Sequence, residues 1–441
     1  MTITFFGIVW LLILAIIAYV RDLENMVALL IFSMVLQCDN VVLFGEKGIG
    51  PQLITSVYFC FFHFLVPERN IVRKDFLSKP FIILLFLLCC YIGINAVIHR
   101  TLSQSFNDII IIYVYLFTSI CLYRVRKSIS SKQIWNIIKK LYLFLLIVGV
   151  LQFLATTHII PKFLLSELLY NDNSDVVYFN TKGIYARITS TFMEPSYFSG
   201  LLCGLIGISI YNKKLFKYSC YSYIYVLVGI IELILTFSTT AYLTFVCVLI
   251  ALVIIDQRQQ NLLKYLPFMS ILFLFVVITW DTLISEIIVN KLESNSGVER
   301  HGWDLIAFEA FLNNPFFGVG YISVRASSVI LTILANLGLV GLFLYLVSLF
   351  SCFLFVFVKR IRNNSLSISA RLILFSVLIS QIIACPDLSL CTFWLSVYLV
   401  VITDTIDKNK ADLRMITYIL RYLKSTIYTS EFIIRKSRNK S

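Results

Sequence analysis

Thirteen apolar runs of roughly bilayer length follow one another along the 441 residues, near 3–20, 26–45, 49–67, 80–98, 107–123, 141–160, 196–211, 219–235, 239–255, 266–283, 329–357, 372–385 and 390–404. A helix needs about 20 mostly apolar residues to cross the hydrocarbon core, where it must satisfy its own backbone polar groups. Only 14% of the residues are charged and 59% are apolar, whereas an ordinary soluble domain carries about 25% charged residues. A water-soluble globular fold is therefore excluded. The expectation is an all-α polytopic transmembrane bundle of about 12–14 spans, forming one integral membrane domain. The first run lacks a basic n-region and closes on Arg21-Asp22 instead of a small-residue cleavage site, so it reads as a retained span.

The net charge of +13 invites a nucleic-acid reading, but the basic residues sit in short clusters between apolar runs. That placement sets orientation against anionic lipid instead. With the chain alternating sides, 29 of the 37 Lys and Arg fall in one set of connections (21–25, 68–79, 124–140, 212–218, 256–265, 359–371 and the tail), which assigns that side to the cytoplasm. Within the basic tail, 405–441, the apolar residues of 412–428 have the spacing of an interfacial helix. A solvated tail is an equal alternative. Two exterior connections, 161–195 and 284–328, are long and rich in apolar and aromatic residues, so they are expected to fold over the membrane surface and to carry function.

None of the eleven cysteines lies in either long loop, and no disulfide framework is implied. The four histidines have no partner at i+3 or i+4 with which to hold a metal on one helix face. There is no P-loop, no dinucleotide fingerprint and no nucleophile elbow. No metal and no cofactor are expected.

In the first loop, Arg187 is followed seven residues later by Glu194, and Glu194-Pro195-Ser196 opens a span. Pro195 suits a first helical turn. Arg187 and Glu194 suit either an anionic headgroup with an acid–base step or an interfacial ion pair. In the second loop, Trp303 to Leu312 has helical spacing that Asn314-Pro315 ends. Gly318 and Gly320 suit a tight turn exposing N–H groups to an anion. Arginine offers a planar, permanently charged fork for anionic oxygens, which makes Arg187, Arg300 and Arg325 candidate ligands of an anionic group. For a base, Glu194 comes first, followed by Glu299, Asp304 and His301. Tyr197, Trp303 and Tyr321 add aromatic faces able to stack on sugar rings or to sit at a bilayer interface.

Arg300-x-x-Trp303, then Asn314-Pro315-x-x-Gly318-Val-Gly320, then Leu331-Thr-Ile-Leu-Ala-Asn-Leu-Gly338-Leu-Val-Gly341, resembles the signature of the bacterial O-antigen polymerase and O-antigen ligase superfamily. The motifs cover about 187–341. The resemblance implies a metal-independent inner-membrane glycosyltransferase that acts on undecaprenyl-diphosphate-linked oligosaccharide at the periplasmic face. It implies Arg187 and Arg300 on the lipid diphosphate. It also implies a flippase and a chain-length regulator of the same pathway as partners. Ligases of this superfamily commonly carry a histidine just before the last motif, where this chain has Ser327-Ser328, and that departure favours a polymerase. The alternatives are an O-antigen ligase, a capsule or exopolysaccharide polymerase or, in a different class, an exporter of lipid-linked sugar. An exporter should place ionisable groups deep in its spans, and Asp39, Glu232 and Asp387 are the scattered candidates.

Overall fold

The computed structural model describes residues 2–45, 47–65, 79–162, 165, 181–182, 185–212, 219–255, 270, 295–354 and 365–403. In chain order the helices are α1 (Phe5–Val20), α2 (Leu23–Ser33), α3 (Pro51–Leu65), α4 (Lys79–Ile98), α5 (Leu102–Val125), α6 (Ser131–Thr156), α7 (Pro195–Tyr211), α8 (Ser219–Leu235), α9 (Thr239–Ile255), α10 (Asn295–Asn313), α11 (Val329–Leu354), α12 (Ser365–Ala384) and α13 (Cys391–Thr403). Among the described residues, five segments are long and apolar enough to cross a membrane: Pro80–Ile98, Leu102–Val125, Ser131–Thr156, Val329–Phe353 and Ser365–Ala384. The side chains are distributed as lipid requires. Phe61, Phe86, Ile94, Phe343 and Phe350 are exposed, while Ser199, Ser209, Ser369, Ser376 and Ser396 are buried. Large apolar side chains turned outward over so many helices would aggregate in water; against hydrocarbon they are at home. This is the expected all-α membrane bundle.

Helices α7 and α12 form its centre and are buried along almost their whole length. Two glycines set four apart on α7 explain the close packing. A Cβ on Gly200 would lie 2.3 Å from Ser380 Oγ, and one on Gly204 would lie 2.9 Å from the Cα of Ile373. Small residues at this spacing let backbones approach where no hydrophobic effect drives helices together. Ser376 Oγ then donates to the Gly200 carbonyl at 2.6 Å. The N-terminus of α7 is thereby fixed, with Glu194 as its N-cap and Pro195 in the first turn.

Three expectations from the sequence are revised. The run at 26–45 is helical only to Ser33. Beyond it, Leu36, Cys38, Asp39, Asn40 and Val41 are buried without helical structure, which membrane depth permits only where protein surrounds the backbone. The chain then forms a small antiparallel sheet of β1 (Thr2–Ile3), β2 (Val42–Phe44) and β3 (Lys47–Ile49), in register Ile3↔Val42 and Val42↔Ile49. Helix α6 starts ten residues before the expected run, because a capping box between Ser130 and Gln133 nucleates it in polar sequence. In the second long loop the expected helix starts at Asn295 instead of Trp303, and it ends at Asn313, directly before Asn314-Pro315. The run at 266–283 lies outside the described residues apart from residue 270. The tail with its 412–428 segment and most of 163–184 also lie outside them. Within 163–184 the exceptions are residue 165 and β4 (Thr181–Lys182), which forms a short hairpin with β5 (Tyr185–Ala186).

Candidate functional site

The segment from Arg187 to Glu194 is held by side chains and backbone from four places. Ile188 N donates to the Leu235 carbonyl at the end of α8 (3.1 Å). Gln152 of α6 accepts from the Thr189 and Ser190 amides on Oε1 (2.9 and 2.8 Å) and donates from Nε2 to Thr189 Oγ1 (2.9 Å). Thr191 Oγ1 donates to the Val35 carbonyl (2.6 Å), and Gln37 N donates back to the Thr191 carbonyl (3.2 Å). The broken second run therefore serves as a brace. Phe192 stacks on Phe198 of α7 with centroids 5.7 Å apart.

On this frame the Arg187 guanidinium is half-buried, and its Nε donates to the Thr236 carbonyl at 3.2 Å. Loss of water around it lowers its pKa from the usual arginine range; Glu194 and Tyr242 favour the charge, and the Arg300 charge opposes it. Arg300 comes from α10, so the guanidinium groups of the two long loops feel each other's charge. Among the described residues, neither these two nor Arg325 forms an ion pair. Two like charges near each other, flanked by Glu194 but without a direct ion pair among the described residues, form an arrangement that an anion stabilises.

Arg300 turns partly inward from α10, whereas its neighbours Glu299 and His301 are exposed. Asp304 is structurally committed: Oδ1 accepts from Ser327 N (2.8 Å) and Oδ2 from Ser327 Oγ (2.6 Å). This clamp fixes the loop that carries Arg325, whose Cζ lies 5.0 Å from the centre of the Trp303 ring, within cation–π range. Ser327, from the departing pair, thus holds Asp304. Glu194 Oε2 accepts from Ser196 Oγ at 3.0 Å.

The glycine turn contradicts its expected role. Gly318 N donates to the Asn314 carbonyl (3.0 Å), Val319 N to Ala335 (3.0 Å) and Gly320 N to Asn336 (3.1 Å). These amides are consumed inside the protein and are not presented to an anion. The reason is a break in α11 at Gly338 (φ 67°, ψ −166°), which frees carbonyls that the turn satisfies; Leu339 N and Val340 N in exchange donate to the Pro315 and Phe316 carbonyls (2.8 and 3.2 Å). Gly318 (φ 72°) lies so close that a Cβ would come within 2.3 Å of the Asn336 carbonyl carbon. From α4, Asn95 Nδ2 and Tyr91 OH donate to the Phe317 and Leu337 carbonyls, both at 2.8 Å.

A second group of charges joins the site that the loop motifs did not indicate. The connection between α12 and α13 places Asp387 opposite α7, where Tyr197 OH donates to its Oδ2 at 3.3 Å. Loss of surrounding water raises the Asp387 pKa; Arg325 and Tyr197 oppose the rise, and Asp108 and Glu194 add to it. Tyr321 is buried and its phenol pKa is raised, first by desolvation and then by Asp108 and Asp387. Asp108, on α5, accepts from Ser389 Oγ at 3.1 Å. Three guanidinium groups and the carboxylates of Glu194, Asp387 and Asp108 thus interact electrostatically, supplied by α5, α10, the N-cap of α7 and the connections that carry Arg187, Arg325 and Asp387. Among the described residues no cluster of His, Cys, Asp and Glu is able to hold a metal.

The fold and this site define a multi-pass helical membrane protein with an arginine-rich, carboxylate-flanked centre. No known protein family matches the sequence, and no curated protein is recognisably similar to it.

Proposed function

We propose that the protein is a polysaccharide repeat-unit polymerase of the bacterial inner membrane, with its site facing the periplasm. It transfers the growing glycan from undecaprenyl diphosphate to a sugar hydroxyl of a newly delivered lipid-linked repeat unit. The reading is carried by the convergence of Arg187 and Arg300, from two loops far apart in sequence, as guanidinium groups without ion-pair partners among the described residues. A glycosyl diphosphate is already an activated donor. Transfer needs stabilisation of the departing diphosphate charge and removal of a proton from the incoming hydroxyl. Arg187 and Arg300 serve the first need, Arg325 flanks them, and the nearby carboxylates serve the second. The motif resemblance at 187–341 and the 29 basic residues on the opposite side support the same orientation.

The test is polymer length in cells. Arg187→Ala or Arg300→Ala abolishes long chains and leaves single repeats at the surface, and Arg→Lys at either position fails to rescue, because charge alone does not reproduce the fork. Long chains from either alanine variant overturn the reading. Loss of all surface glycan, single repeats included, makes ligation or export the better assignment. One observation favours export: Glu232 of α8 is buried, with neither carboxyl oxygen hydrogen-bonded among the described residues, and ionisable groups at such depth are commonly functional. An exporter loses single-repeat delivery on Glu232→Gln; a polymerase does not.

A further inference from the structure

We infer that Asp387, and not a carboxylate of either long loop, is the catalytic base that accepts the proton of the acceptor hydroxyl; the assignment rests on the glycosyl-transfer reading above. Elimination narrows the choice. Both oxygens of Asp304 hold Ser327, and among the described residues neither Glu299 nor His301 makes a side-chain hydrogen bond to another residue of the site. Glu194 accepts from Ser196 and faces Arg187, so it is engaged on the arginine side of the site. Asp387 accepts from Tyr197 on Oδ2, and its Oδ1 has no hydrogen-bond donor among the described residues.

Its backbone is pre-set from three directions. Gln381 Nε2 donates to the Asp387 carbonyl (3.1 Å), Trp394 Nε1 to the Leu388 carbonyl (3.0 Å), and Ser389 Oγ to Asp108 (3.1 Å). The charged and titratable groups facing the carboxyl are Arg325 from the α10–α11 loop, Tyr197 and Glu194 at the head of α7, Asp108 on α5, and Tyr321. Desolvation and the two carboxylates strengthen Asp387 as a base, while Arg325 and the Tyr197 hydroxyl keep it ionised.

In the step itself, the acceptor O–H proton passes to an Asp387 oxygen and the acceptor oxygen bonds to the anomeric carbon of the donor glycan. The bond from that carbon to the diphosphate oxygen breaks, with its electron pair leaving on undecaprenyl diphosphate beside Arg187 and Arg300. Asp387 then returns the proton to water.

The experiment uses full-length protein in lipid vesicles, with lipid-linked oligosaccharide extracted from a strain lacking this protein. Asp387→Asn is expected to lower turnover by about 10²–10⁴-fold while binding of undecaprenyl diphosphate stays at the wild-type level, which also shows that the variant is folded. Asp387→Glu restores part of the rate. Tyr197→Phe removes a donor to the carboxylate and moves the acidic limb of the pH–rate profile to higher pH; Asp108→Asn moves it to lower pH. A merely structural role moves neither limb. Full turnover in Asp387→Asn, or limbs that stay in place, overturns the assignment and leaves the polymerase reading standing as long as Arg187→Ala is inactive. Failure of the wild-type protein to lengthen the oligosaccharide overturns both.

Discussion

Replacing Gln152 by Leu tests how the Arg187 segment is held. Gln152 is fully buried in α6, and its Oε1 is the acceptor for two consecutive amides, Thr189 and Ser190. Leucine fills a similar volume and offers no acceptor. An unsatisfied buried donor costs about 1–3 kcal/mol, so the pair costs about 2–6 kcal/mol, less whatever a relaxed segment recovers. Ser190 also sits at φ 51°, a conformation that holds only while its surroundings enforce it. The loss is local, and the expected result is faster hydrogen exchange in the peptide spanning 187–194, by roughly 30-fold or more for 2 kcal/mol, with α12 unchanged. Polymer synthesis falls with it, since Arg187 lies two residues before Thr189. Unchanged protection across 187–194 in a folded Gln152→Leu protein refutes the reasoning.

Other changes are as specific. Gly338→Ala places a Cβ 2.3 Å from the Phe316 carbonyl oxygen at a φ of 67°; backbone strain alone costs about 1–3 kcal/mol, so a lower melting temperature in detergent is expected, and a wild-type value contradicts the clamped break. Asp304→Ala leaves the Ser327 amide unpartnered, for about 1–3 kcal/mol, and loosens Arg325; KM for the lipid-linked substrate rises more than kcat falls, and unchanged kinetics count against the clamp. The raised pKa of Asp387 gives a stability contribution that is complete below the ordinary aspartate value near 3.8 and is lost as pH rises through the higher folded value. Thermal melting against pH should accordingly decline over that window in the wild type and stay flat there in Asp387→Asn. A shared decline removes Asp387 as its source.

The fold was legible in the sequence wherever one run meant one helix. Lys79 to Ile98 and Thr239 to Ile255 follow the apolar pattern closely, because length and composition decide such segments. The pattern failed at Gln37-Cys38-Asp39-Asn40, where an apolar average hid a stretch whose backbone bonds go to the Arg187 segment and to β3. Gly200 and Gly204 carried a readable signal for close packing of α7 that hydropathy alone passes over. At the site, Arg187 and Arg300 were expected together only through the motif resemblance, since nothing local in either loop encodes their proximity. Gly318 and Gly320 were correctly placed in a turn with positive φ, but their amides were misassigned, because the acceptors belong to a helix break some eighteen residues onward. Asp387 stood in a short connection and no motif surrounded it. Only the packing of α12 on α7 brings it to Tyr197.

Binding of undecaprenyl diphosphate to the wild-type protein, Arg187→Gln, Arg300→Gln and the double variant in vesicles tests the central claim most directly. If both guanidinium groups grip one diphosphate, each single change weakens binding about tenfold or more, as expected for a lost charge-assisted hydrogen bond. The double change then departs from the product of the two, because the groups share a ligand and repel each other without it. Affinity that survives either single change, or two losses that multiply independently, contradicts a shared diphosphate site.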